Sequence, residues 1–61
     1  MNDAVALAAG EATDRLLIGD WAKAEEAVRR LPPGDLVILH SMLLDLQSIT
    51  AHIIIERGGV T

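Results

Sequence analysis

The chain contains no cysteine, phenylalanine or tyrosine, and only five basic residues among 61. Each shortage excludes something. Without cysteine there is no disulfide framework and no thiolate metal site, and the redox compartment is left open. The five bases, Arg15, Lys23, Arg29, Arg30 and Arg57, are scattered among nine acids, for a formal net charge of -4. That balance opposes a phosphate-backbone binder, which presents clustered Lys and Arg. The first residues, Met1-Asn2-Asp3, lack the basic region and apolar run of a secretory signal, so a cytoplasmic protein is expected. Abundant alanine and a preference for arginine over lysine are compatible with a GC-rich bacterial genome.

A chain this short buries only about 60% of its unfolded surface, so an isolated monomer is marginal. With disulfides excluded, oligomerisation is the common remedy. Half of the residues are hydrophobic, and their spacing is helical throughout, which predicts an all-α fold in one domain spanning residues 1–61. The first predicted helix covers Asp3 to Ile18, with Asp3 as N-cap and a Glu11/Arg15 pair four residues apart. Gly10 weakens it by up to about 1 kcal/mol relative to Ala. Gly19-Asp20 then supplies a left-handed stop and an N-cap start. The second helix, Trp21 to Leu31, places Trp21, Ala24, Val28 and Leu31 on one stripe, with Glu25/Arg29 and Glu26/Arg30 pairs opposite. Pro32-Pro33-Gly34 ends it. Asp35 opens a third and much longer helix, Leu36 to Arg57, closed by Gly58 and Gly59.

This third helix is the most informative stretch of the chain. With successive residues about 100° apart, Leu39, Met42, Leu46, Ile49 and Ile53 alternate three and four apart, the seam of a coiled coil or bundle. Ser41, Asp45, Ser48, His52 and Glu56 form a polar stripe for solvent. Beyond that stripe lies a second apolar patch of Val37, Leu44, Ala51 and Ile55. One neighbour cannot cover both patches. The first two helices can offer Val5, Ala12, Leu16, Leu17, Trp21, Ala24, Val28 and Leu31 to one of them, which leaves the other for a partner. The expected architecture is therefore an αα-hairpin followed by a long C-terminal helix, assembled as a homodimer or higher helical bundle. A membrane-spanning reading is opposed by Asp45 near the helix centre, which costs roughly 2.5–3.5 kcal/mol on insertion scales.

No catalytic pattern emerges. Ser41 and Ser48 have no adjacent base, and Asp45 and His52 stand two turns apart, so nucleophile, base and oxyanion donors are not assembled and no enzyme is expected. His52 and Glu56 sit four apart on one face, a spacing that suits two metal ligands but more simply reads as a solvated pair. No metal and no cofactor are expected. Trp21 is read as a packing anchor of the second helix, the alternative being a binding hot spot at the edge of a groove. The segment Gly19-Asp20-Trp21-Ala22-Lys23-Ala24-Glu25-Glu26-Ala27 resembles the turn and second-helix start of a tetratricopeptide repeat. That resemblance implies an αα-hairpin and nothing more, because the repeat does not recur.

The functional expectation is a small non-enzymatic interaction module, an adaptor, assembly or regulatory subunit. It self-associates through Leu39, Met42, Leu46, Ile49 and Ile53, with Val37, Leu44 and Ile55 as a second surface for a heterologous protein. The alternative is a small transcriptional regulator or an antitoxin-like inhibitor. Neither nucleic acid nor membrane is the expected partner.

Overall fold

The computed structural model describes residues 3–58. Three helices follow in order: α1, Asp3–Leu17; α2, Trp21–Arg29; and α3, Pro33–Glu56. The layout is the expected hairpin followed by a long helix. Among the described residues there is no strand.

The α1–α2 connection is built by local chemistry. Gly19 adopts φ +81°, and its N–H donates to the Leu16 carbonyl at 3.0 Å while the Asp20 N–H donates to the Arg15 carbonyl at 2.8 Å. These are the paired bonds of a Schellman ending, which satisfy carbonyls that the end of the helix would otherwise orphan. One residue later the Asp20 carboxylate accepts from the Lys23 N–H at 3.1 Å and caps α2. One Gly-Asp dipeptide thus closes a helix and opens the next.

The second connection departs from expectation. Helix α3 begins at Pro33, with Pro32 as N-cap in extended conformation, so it starts ahead of Asp35 rather than after it. A proline at the first helical position loses nothing there, because its missing N–H belongs to the unpaired first turn and its fixed φ suits the helix. The Pro32 carbonyl accepts the first helical bond, from the Leu36 N–H at 3.0 Å. Asp35 sits within the first turn, where a carboxylate still favours the positive end of the helix dipole. Helix α2 stops at Arg29, short of the predicted Leu31, and the Leu31 N–H turns back to the Val28 carbonyl. Pro32 disfavours helical conformation at the residue before it. At the far end Gly58 takes φ +87° and donates to the Ile55 carbonyl, and Gly59 lies outside the described residues.

The core lies at the open end of the hairpin. Val5 and Ala8 of α1, Leu31 after α2 and Leu39 of α3 are buried together, with Ala9, Val28, Leu36 and Met42 packed against them. Ala24 and Ala27 are the buried residues of α2, and small side chains there let the hairpin close tightly. Of α3, only Leu39 is buried. Across the hairpin Glu11 faces Arg30 at 3.7 Å instead of forming the predicted contact with Arg15, while Glu25 and Arg29 pair as expected at 2.8 Å.

Candidate functional site

Helix α3 spans about 36 Å at 1.5 Å per residue, nearly the 38 Å long axis of the molecule. Helix α1, on which α3 chiefly packs, spans only about 22 Å on the same rise, and α2 only about 13 Å. Coverage of α3 therefore ends early. Leu36, Leu39 and Met42 face the hairpin core, and Leu39 is only 4% exposed. From Leu43 to Gly58 every residue is exposed.

The structure thus divides the predicted seam. Leu39 and part of Met42 pack within the chain, whereas Leu46, Ile49 and Ile53 continue the same stripe into solvent, with Leu46 57% exposed. Val37, Leu44 and Ile55 form the second patch on another side, open along its length, with Ile55 77% exposed. His40 and Gln47, which separate the two patches, are exposed as well. Thr50 sits on the first stripe, and its hydroxyl donates to the Leu46 carbonyl at 2.7 Å. The side chain satisfies its polar group locally and presents its methyl.

A second apolar surface, which the sequence reading did not foresee, lies on the hairpin. A groove of about 410 Å³ runs between α1 and α2, floored by Ala9, Ala12 and Ala24, walled by Leu16, Trp21 and Val28, and bounded by Leu39 and Leu43. Trp21 is 67% exposed, so it is a wall of this groove rather than the predicted packing anchor. Leu16 and Leu17, offered to the core by their helical phase, are exposed too, as are Leu7 and Ile18. For Leu16, Leu17, Ile18 and Trp21 the physical reason is common: α3 leaves the hairpin before reaching its turn, so among the described residues nothing lies over that end, whereas Leu7, between the buried Val5 and Ala8, simply faces away from the core. Thr13 lines the groove and, like Thr50, returns its hydroxyl to its own helix, on the Ala9 carbonyl at 2.7 Å.

Total exposure measures the consequence. The chain exposes 4958 Å², against about 3,800 Å² for a compact monomer of 6.5 kDa on the usual scaling of surface with mass. The excess, polar and apolar surface of all 61 residues together, is about 1,100 Å², of the order of the ~800 Å² that each partner of a standard protein interface buries.

His52 Nε2 and Glu56 Oε2 stand 3.2 Å apart on the exposed stripe, as their spacing predicts. Among the described residues no group of three or more potential metal ligands converges. By length and composition alone α3 is able to cross a bilayer, but Asp45 stands at its middle within a stripe that also holds Ser41, Ser48 and His52. Comparison with protein-family models, with curated proteins and with solved structures finds no match.

Proposed function

We propose that this chain is a small, non-enzymatic helical interaction module of the cytoplasm, an adaptor or regulatory subunit that self-associates through α3 and carries a protein partner on the surface left over. One observation carries the reading: the stripe that begins in the core at Leu39 runs on, uncovered, through Leu46, Ile49 and Ile53. A contiguous exposed apolar surface of this kind marks an interaction site more often than an accident of packing.

Helix energetics point the same way. An isolated helix of fewer than ~12–15 residues is marginal in water, and the distal part of α3 is about that long. It is also rich in β-branched Ile49, Thr50, Ile53, Ile54 and Ile55, which lose side-chain freedom in a helix. Such a segment gains its stability from a neighbour. The self-association seam supplies that neighbour, and the Val37, Leu44 and Ile55 patch remains for a different protein.

Light scattering across a dilution series, with helicity followed in parallel, tests the reading. A multiple of 6.5 kDa is expected at high concentration, with helicity lost on dilution as the complex dissociates. Leu46→Asp places a charge on the stripe at a site already exposed within the chain, so it is expected to dissociate the assembly while leaving the hairpin core intact. An unchanged mass for that variant removes the seam from the model.

A further inference from the structure

We propose that the groove between α1 and α2 receives the distal half of α3 from a second copy of this chain, the two copies exchanging these segments reciprocally about a two-fold axis near Leu46. This rests on the self-association read above and specifies where on the partner the helix lands.

The two surfaces match in shape. A floor of Ala12 and Ala24 lets a helix approach at the short end of the ~8–10 Å packing range. The walls, Leu16 and Trp21, stand where a large aromatic makes an effective anchor for an incoming helix. Leu46, Ile49 and Ile53 form the three-four ridge that such a groove accepts.

They also match in polar satisfaction. Thr13 in the groove and Thr50 on the ridge both bond their hydroxyls to their own helices at 2.7 Å, so burying either leaves no donor unmade. The Glu25–Arg29 ion pair lines the same groove with both side chains solvated, the position of a polar rim.

Connectivity makes the exchange self-complementary. The groove is bounded by Leu39 and Leu43, on the stripe whose continuation is the ridge. Two α3 helices crossing antiparallel at Leu46 carry each Ile49 back alongside the other copy's Leu43, and so over its hairpin. Each copy then gives one segment and receives one, and the assembly closes as a dimer. The surface beyond that of a compact monomer, about 1,100 Å² per copy, is of the order of the ~800 Å² per partner of a standard interface. Pairing of α3 with α3 alone leaves the groove and Trp21 bare.

Because the natural chain has no cysteine, introduced thiols report contacts without background. The full chain is made as Ala12→Cys and as Ile49→Cys, the two are mixed and oxidised mildly, and the products are read by intact mass. A disulfide-linked heterodimer is expected in about tenfold excess over either homodimer, since a disulfide needs Cα atoms within ~7 Å. A dimer by light scattering that forms no heterodimer cross-link, or that links Ile49→Cys to itself, overturns the exchange while leaving self-association standing. A mass of 6.5 kDa at every concentration overturns both, as does partition of the monomer into phosphatidylglycerol vesicles, which assigns the ridge to a bilayer.

Leu16→Arg is the companion variant, exposed enough to spare the monomer fold. It is expected to weaken dimerisation at least about tenfold with hairpin helicity retained, and an unchanged dissociation constant overturns the groove as the site.

Discussion

Two glycines separate backbone strain from packing at the scale of single residues. A Cβ added at Gly10 or at Gly19 meets nothing within 4 Å, so space does not distinguish them. Conformation does. Gly10 lies inside α1, and Gly10→Ala is expected to stabilise the protein by about 1 kcal/mol. Gly19 holds φ +81°, and Gly19→Ala is expected to destabilise it by about 1–2 kcal/mol, the cost of the left-handed region for an L-residue. Urea denaturation of both variants at one fixed protein concentration checks the opposite signs. The Gly19-Asp20 turn was legible in the sequence because capping chemistry is local: the glycine and the carboxylate act on backbone groups within four residues of themselves. Trp21, the very next residue, was not legible. Its helical phase is that of a core residue, but its exposure depends on whether a distant helix reaches it.

At the scale of elements, the governing quantity is length. The hairpin secures the first half of α3 through Leu39, and Leu39→Ala, which empties the middle of so small a core, is expected to cost about 2–5 kcal/mol. Thermal denaturation with helicity as the signal should show the variant largely unfolded. The distal half has no such anchor. Hydrogen exchange should reveal the division directly: amides near Leu39 and Met42 are expected to be protected in the monomer, and those near Ile53 and Ile54 to exchange rapidly in dilute protein and slowly once the protein associates. Uniform protection along α3 at all concentrations would contradict the division. The early start of α3 is a smaller instance of the same lesson. A Pro-Pro-Gly run reads as a break, and it is one for α2; yet its second proline is also a favoured first residue for a helix, and the sequence alone does not say which role each proline takes.

At the scale of the whole molecule, three helices leave a surface that one copy of the chain does not close. The all-α class, the hairpin, the long third helix and its two apolar patches followed from the sequence by itself, because caps, helix breakers and a 3.6-residue period act between near neighbours and need no knowledge of the fold. The His52–Glu56 and Glu25–Arg29 pairs were legible for the same reason, since four residues on one helix face always meet. The Glu11–Arg30 contact was not, since it joins two helices. Which apolar residues become core was likewise decided only by tertiary structure. Leu39 and Leu46 occupy the same stripe of α3 and are interchangeable by pattern, but one lies under the hairpin and the other beyond it. Periodicity records the direction a side chain faces around its helix; burial also requires something opposite it, and that is fixed by where α3 crosses α1 and how far the shorter helices reach.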